Sequence, residues 1–600
     1  MRTISGDNAL RDFRDGLTGR YGLDLLRRHN GSLLVQLPVG VGKSRWLDAI
    51  TLEALQSRQF DLVVVLCPTR RLIEERGPLL RPPAGVRVVN LRPRLAKRCG
   101  PQRDARWKQF EAADLGALGR VEICGRCPHR KRCFWPDQYG VGLQGASLIY
   151  ATQAHLKRAP GFLACLRSWT GSDRMLTLLD ESSFVGTPFN RSIRRDELRR
   201  FMTTLRHATP DCQSPGWRHD RWLALTEMLQ AASTEDLQDA GWRMPHLDPA
   251  WACVVQREGL QRHGDEFRFL GYDLTQLGLS PQESRRRNEY GNLQFSVRPY
   301  VGDCIIFSGT TDVAFTRFRL GKDLASPFGG YRFIHPQTRW YNLASSIGAR
   351  RFFRQHLPQV LDFFATLIAR RSEEGKRVLL VAKKCFVDEC CTGLKSRFGS
   401  MGLHLRLLTD GWSAVALALP EVVPIINYGM IGTNLFEDFD AVYCLSGFYV
   451  NEHVVNACLQ DVTREDLRLP IRIETVGVPR RRFARLEIPD HRYYETARLL
   501  QPALEFREHD VVIQAVGRVR PFTKPREVIT FQMGALPGVI YDAEFDTLTQ
   551  ARRHFGVSSR RQQKKDDLAA RVAALRHEGL TQAEIAKAIG VSERTVRRYG

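Results

Sequence analysis

Short apolar runs that end in turn residues recur along the chain. Ser32-Leu-Leu-Val-Gln-Leu37 runs into a glycine-rich turn, and Asp61-Leu-Val-Val-Val-Leu-Cys67 is rich in β-branched residues. Met175-Leu-Thr-Leu-Leu179 and Cys304-Ile-Ile-Phe307 share the style. It returns at Arg377-Val-Leu-Leu-Val-Ala382, Ala441-Val-Tyr-Cys-Leu445 and Val528-Ile-Thr-Phe531. Runs without polar alternation, separated by helical stretches, predict parallel strands buried on both faces of an α/β sheet. Their recurrence predicts two such domains, over residues 1–340 and 341–555. Between 185 and 300 strand-like runs are rare, and Asp196-Glu-Leu-Arg-Arg-Phe-Met and Arg221-Trp-Leu-Ala-Leu-Thr-Glu-Met-Leu carry helical spacing. That predicts a helical insertion in the first domain. The polar stretch 556–567 reads as a linker, and a small helical unit follows over 568–600.

In that last unit Thr581 and Glu584 have the spacing of a capping box, Gly590 supplies a turn, and Ser592 caps a second helix. Ala586, Ile589, Val591 and Val596 are placed to pack the pair. The pattern resembles the helix-turn-helix of resolvases and transcription regulators. The resemblance implies a DNA-binding helix that presents Ser592, Glu593, Arg594, Arg597 and Arg598.

Charge points the same way. Lys plus Arg number 89 against 65 Asp plus Glu, a net charge of +24, which calls for a polyanionic partner such as nucleic acid. Apolar residues at 43% and charged residues at 26% describe a globular chain and argue against extended disorder. No apolar run approaches the ~18 residues that span a bilayer. The first residues lack the apolar core of a signal peptide. Most of the 14 Cys are scattered in apolar surroundings, as in a reducing cytoplasm. A cytoplasmic protein with no membrane partner is therefore expected.

Leu37-Pro38-Val-Gly40-Val41-Gly42-Lys43-Ser44 lies between a predicted strand and a predicted helix. A phosphate-binding loop needs that setting. Its backbone N–H groups turn inward at the glycines, and the helix N-terminus favours anions. Lys43 would reach the β- and γ-phosphates of ATP, and Ser44 would hold Mg²⁺. Asp180-Glu181 emerges directly from an apolar run. Asp180 would bind the same Mg²⁺, and Glu181 would activate the attacking water.

Together these motifs resemble the motor core of superfamily 2 helicases, over about residues 30–535. Leu37 to Ser44 corresponds to motif I and Asp180-Glu181 to motif II. Pro68-Thr69-Arg70-Arg71-Leu72 resembles motif Ia, which implies that Thr69 and Arg70 touch the DNA backbone. Ser308-Gly309-Thr310 takes the place of motif III, and Asn427 to Asp440, with Gly432, Thr433 and Asn434, that of motif V. Gln514-Ala-Val-Gly517-Arg518-Val-Arg520 resembles motif VI. There the resemblance makes Gln514 a nucleotide-facing residue and Arg518 an arginine finger. Arg520 stands one residue before the family's second arginine, whose place is taken by Pro521.

Cys99, Cys124, Cys127 and Cys133 are spaced C-x24-C-x2-C-x5-C. Four thiolates so placed suggest a metal site, and the chemistry admits a Zn²⁺ ion or an iron–sulfur cluster. Their position between motifs Ia and II resembles the XPD/DinG-like iron–sulfur branch, which inserts a cluster domain there and a helical arch after motif II. By that resemblance residues 92–145 carry a [4Fe–4S] cluster, with Zn²⁺ as the alternative, and 185–300 form an arch. The implied protein has two RecA-like parallel-sheet domains and is a 5′→3′ DNA helicase that hydrolyses ATP with Mg²⁺. It would act on single-stranded and duplex DNA in replication or repair. The alternatives are a translocase that does not separate strands and a DNA-binding regulator with an ATPase switch.

Overall fold

The computed structural model describes residues 2–20, 22–76, 80–112, 123–138, 141–158, 161–181, 190–193, 286–287, 293–296, 300–309, 312–320, 322–407, 417, 419–429, 435–463, 469–476, 481–487, 493–536, 538–557 and 560–599. Two units divide the chain. One comprises Met1–Phe333, Val450–Ile473 and Phe483–Asp510, the other Ile334–Tyr449, Glu474–Arg482 and Val511–Gly600.

The first unit is built on six parallel strands, namely β1 (Ser32–Gln36), β2 (Leu62–Cys67), β3 (Val88–Asn90), β4 (Leu148–Thr152), β5 (Met175–Asp180) and β6 (Asp303–Ser308). Their order across the sheet is β1-β6-β5-β2-β4-β3. Both β2 and β5 are buried throughout, as their uninterrupted apolar runs require. The register sets Ser308 against Gln36 and Phe307 against Asp180, so β1, β6 and β5 end together. Ligands of open parallel sheets bind outside such carboxyl ends.

Three helices frame this edge, α1 (Asp7–Arg20), α2 (Lys43–Ser57) and α3 (Arg70–Arg76). Helix α2 buries Trp46, Leu47, Ile50 and Ala54, one apolar stripe at helical spacing. Helix α1 turns Leu10 and Leu17 inward. Its Phe13 packs on Phe328, Tyr331 and Phe333 at centroid distances of 6.0, 5.3 and 5.1 Å. A further helix, α4 (Pro101–Ala112), lies in the cysteine region.

The second unit holds seven parallel strands, β7 (Arg339–Leu343), β8 (Val378–Ala382), β9 (His404–Leu407), β10 (Val422–Asn427), β11 (Ala441–Cys444), β12 (Glu527–Thr530) and β13 (Ala543–Phe545). They run in the order β9-β10-β8-β11-β12-β7-β13. Helices α5 (Arg350–Glu373) and α6 (Val387–Phe398) supply Phe363, Phe364, Leu394 and Phe398 to its core.

Two expected boundaries change. Residues 341–555 do not form one continuous domain, because Val455, Leu459, Leu499, Ala503 and Leu504 share a buried cluster with Leu34 and Leu62 of the first sheet. Helix α7 (Leu500–Val516) passes from one unit to the other between Asp510 and Val511. The expected linker 556–567 is helical from Arg560 onward, in α8 (Arg560–His577). Its Arg, Gln and Lys residues are good helix formers, and no Gly or Pro interrupts them. The arch-like insertion of 185–300 lies largely outside the described residues. The strands described there, Asn190–Ile193, Arg286–Arg287 and Leu293–Ser296, form a small antiparallel sheet.

Candidate functional site

The loop after β1 crosses the sheet edge and enters α2 at Lys43. Gly40 and Gly42 have φ of 92° and 113°, values that glycine adopts without strain. Lys43 is buried, and its Nζ donates to the Leu37 carbonyl at 2.9 Å and to Glu181 Oε1 at 2.8 Å. Strand β6 brings Gly309 between them, where a side-chain carbon would sit 3.6 Å from both Lys43 Nζ and the Leu37 oxygen. Ser44 is exposed beside Lys43.

Strand β5 delivers Asp180 into the interior. Its Oδ2 accepts from Arg76 Nη2 at 2.8 Å, while Arg76 Nη1 donates to Asp48 Oδ1 at 3.0 Å. Burial pushes the Asp180 carboxyl above the usual carboxylate range, against the pull of Arg76, and the nearby Glu181 charge adds to the rise. Asp48 is raised by burial in the same way. Glu181 has φ 61°, in the left-handed region that few non-glycine residues occupy. Gln153 Nε2 holds that turn by donating to the Asp180 carbonyl at 2.7 Å and to the Glu181 carbonyl. The second carboxylate oxygen, Glu181 Oε2, is buried without a hydrogen-bond partner. A glycine turn between strand and helix, a buried ammonium, an exposed serine next to it in the chain and a carboxylate oxygen lacking a donor together fit a nucleoside triphosphate, its divalent cation and a water.

Lys43, Asp180 and Glu181 thus come together as expected. Four partners escaped the sequence reading: Asp48, Arg76, Gln153 and Arg14. Arg14, on α1, donates from Nε to the Val41 carbonyl at 3.1 Å and from Nη2 to the Gly40 carbonyl. Arg14, Arg76 and Gln153 lie far from the loop in sequence, and all four sit inside an ordinary helix or turn, so no local pattern marks them.

At the start of α3, Thr69 Oγ1 accepts from the Leu72 N–H at 3.4 Å, and Arg70 donates to Glu74 at 3.0 Å and to the Leu91 carbonyl. Gln514, Arg518 and Arg520 belong to the second unit. Gln514 is half-buried near the end of α7, and Arg518 sits half-buried in the turn Gly517–Val519. Arg520 has φ 59° and pairs with Glu437. Thr310, Gly432, Thr433 and Asn434 lie outside the described residues.

All four expected metal-ligating cysteines, Cys99, Cys124, Cys127 and Cys133, line one cavity of about 420 Å³. Arginines 98, 103, 130 and 132 line it as well, so it is strongly electropositive. Trp107 of α4 packs edge-on against Trp135 at 5.2 Å, and the Arg92 and Arg98 guanidinium groups lie over Phe134 at 5.9 and 5.8 Å. These aromatics wall the cavity. Among the described residues, no group of three His, Cys, Asp or Glu side chains is drawn together as around a single ion. One Zn²⁺ gathers four sulfurs to about 2.3 Å of a single point, whereas a four-iron cluster occupies the space between its sulfurs. The donor set, four thiols bordering one space, accepts either group.

The C-terminal helices α8, α9 (Gln582–Ile589) and α10 (Glu593–Tyr599) close on Val572, Ile585, Ala586 and Val596. The capping box forms: Thr581 N–H donates to Glu584 Oε2 at 2.8 Å, and Glu584 N–H to Thr581 Oγ1 at 3.4 Å. Gly590 takes φ 67° at the turn. Ser592, Arg594, Arg597 and Arg598 are exposed on or before α10.

Residues 564–599 match the family model of the homeodomain-like domain. No curated protein matches the chain. Among solved structures it is similar to an XPD helicase, at 13% identity and a TM-score of 0.40, over 88% of this chain and 96% of that one. It is similar to the Escherichia coli DEAH/RHA helicase HrpB at 12% identity and a TM-score of 0.31, over 91% of this chain and 43% of that one. For the DUF1998 helicase MrfA bound to DNA the values are 7%, 0.33, 91% and 48%. The chain therefore spans less than half the length of HrpB and MrfA. Among the described residues, no helix is long and apolar enough to cross a membrane.

Proposed function

We propose that the chain is an ATP-dependent DNA helicase that moves 5′→3′ on single-stranded DNA. One observation carries the reading. Lys43 and Glu181 meet beside Asp180 at the carboxyl ends of β1 and β5, with Glu181 Oε2 buried and unpartnered. Phosphate binding would draw Lys43 from Glu181 to the β- and γ-phosphates. Glu181 is then released to accept a proton from the attacking water through Oε2. Ser44 and Asp180 would hold Mg²⁺, which neutralises charge on the transferred phosphoryl group. In the second unit Arg518 would be the finger residue and Gln514 a nucleotide-facing residue, while Arg520 pairs with Glu437. A finger contributes ~10³–10⁵ in rate.

Cys99, Cys124, Cys127 and Cys133 would hold a [4Fe–4S] cluster that makes the basic region around them rigid. The helix-turn-helix would bring the motor to duplex DNA through Arg594, Arg597 and Arg598, and the net charge of +24 supports a polyanionic partner throughout.

Strand displacement tests the reading. Duplexes carrying a 5′ or a 3′ single-stranded tail are unwound with ATP and Mg²⁺, with Lys43→Ala as control. Unwinding from the 5′ tail alone is expected. Unwinding from the 3′ tail reverses the polarity. DNA-stimulated hydrolysis without unwinding makes the chain a translocase, and DNA-dependent function that survives Lys43→Ala makes it a regulator.

A further inference from the structure

Arg76 has no part in the reaction as written, yet it is one of the most enclosed charges in the first unit, at 5% exposure. It closes α3, and its guanidinium reaches two carboxylates on two other elements. Asp48 stands in the second turn of α2, the helix that begins at Lys43, and Asp180 ends β5. One arm of the fork reaches each, at 3.0 and 2.8 Å. Arg76 thereby ties the phosphate-loop helix to the strand that carries the proposed metal ligand.

A planar guanidinium fixes both the position and the plane of a carboxylate. Here it engages Oδ2 of Asp180, so Oδ1 is the oxygen left to a metal ion. Gln153 holds the backbone carbonyl of the same residue. The Asp180 carboxylate is therefore aimed by its neighbours before any cation arrives. Partners that orient a metal ligand in this way govern affinity nearly as strongly as the ligand itself.

We propose that Arg76 is a positioning residue for the divalent cation that accompanies the nucleotide, acting by holding Asp180 Oδ2 and thus presenting Oδ1. The inference rests on the reading of Asp180 as that cation's ligand. It predicts a split. Metal binding should depend on the fork of Arg76, whereas nucleotide binding without metal, which uses the loop and Lys43, should not.

The test uses the full chain with Mn²⁺ as the probe. Binding of Mn²⁺ to the ATP-loaded protein is read from the loss of the free-ion electron paramagnetic resonance signal, and ATP binding in EDTA is titrated separately. Arg76→Lys keeps the charge but lacks the planar fork that fixes the carboxylate plane. It should weaken Mn²⁺ binding about tenfold or more, with metal-free ATP affinity within about twofold of the wild type. Asp48→Asn leaves the Asp180 arm intact and should give a smaller loss in the same direction. It also reads the proposal if Arg76→Lys does not fold. Unchanged Mn²⁺ affinity overturns the proposal, and so does a parallel fall in metal-free ATP affinity, which makes Arg76 merely structural. Tighter Mn²⁺ binding overturns it too, because the guanidinium would then only repel the cation. A wild-type chain that binds no ATP at all removes the nucleotide site itself, and this inference falls with it.

Discussion

The nucleotide site and the cysteine cavity belong to the same unit but are finished to different degrees. At the first, Lys43 meets Glu181, Arg76 meets Asp48 and Asp180, and Arg14 and Gln153 hold backbone carbonyls of the loop and the turn. At the second, four thiols border a cavity ringed by arginines, one of which, Arg94, pairs with Asp104 at 2.5 Å. Buried charge is costly unless paired, so the nucleotide site is assembled by contacts within the protein. Thiolates around a cavity repel one another, and such a site is held by the group it binds. The first should therefore tolerate loss of its ligand, and the second should not.

The largest effect expected lies at the cavity. Chelating the metal, or Cys127→Ser, should abolish the brown absorbance near ~400 nm characteristic of an iron–sulfur centre. It should also open residues 92–136 to protease, because metal-binding free energy is folding free energy in such regions, ~10–16 kcal/mol for structural Zn²⁺ sites. ATP affinity should be retained. Iron-free protein that resists cleavage in this segment would erase the contrast between the two sites.

Next in size is Lys43→Ala. ATP hydrolysis should fall ~10²–10³-fold, the scale for loss of one group that stabilises developing charge. The melting temperature should fall by a few degrees, because the buried Leu37 carbonyl loses its donor. The partner left behind, Glu181, is 19% exposed and can recruit water. A melt lowered as far as that of the cysteine variant would show that the nucleotide site is no better preassembled than the cavity.

What could be foreseen from the amino-acid order divides along the same line. The phosphate loop, Asp180-Glu181 and the Thr581–Glu584 capping box are local patterns, with partners a few residues apart or directly after an apolar run. The partners that complete the nucleotide site are remote. Arg14 lies 26 residues before Gly40, and Arg76 lies 104 residues before Asp180. Arginine is abundant in this chain, so composition could not single these two out. Residues 450–473 and 483–510 likewise look like a continuation of the second sheet domain, and only their packing on Leu34 and Leu62 reveals where they belong. The segment 560–567 misleads in another way. Its polarity suggests a linker, but its residue types favour a helix, and a helix needs only one apolar side.

A smaller effect is expected at Gln153. Its amide donates to the carbonyls of Asp180 and Glu181, and Gln153→Met removes that donor from both. Each unsatisfied buried acceptor costs ~1–3 kcal/mol. The protein should melt several degrees lower, and hydrolysis at saturating ATP should drop about tenfold, because the left-handed turn at Glu181 is no longer held. Reduced stability at undiminished kcat would mean that the turn is fixed by the strand alone.

The smallest of these effects bears most directly on preassembly. Arg14 makes two hydrogen bonds to the loop, and both acceptors are peptide carbonyls rather than charged groups. A bound carbonyl fixes the peptide plane, and with it the direction of the following N–H. Holding the Gly40 and Val41 carbonyls therefore holds the N–H groups of Val41 and Gly42, which a phosphate needs turned inward. Without Arg14 the loop keeps its glycines but samples more conformations, and ATP must order it on binding. Two such bonds contribute roughly 1–3 kcal/mol to the ordered form, only part of which appears as affinity. Arg14→Ala should weaken ATP binding about tenfold, ~1.4 kcal/mol, with kcat at saturating ATP nearly unchanged. Arg14→Gln, which can restore one carbonyl contact without the charge, separates two causes. Partial recovery assigns the effect to the hydrogen bonds, and none assigns it to the positive charge near the phosphates. Unchanged affinity in Arg14→Ala would mean that the loop is ordered by its nucleotide, as the proposed metal would order the cysteine region.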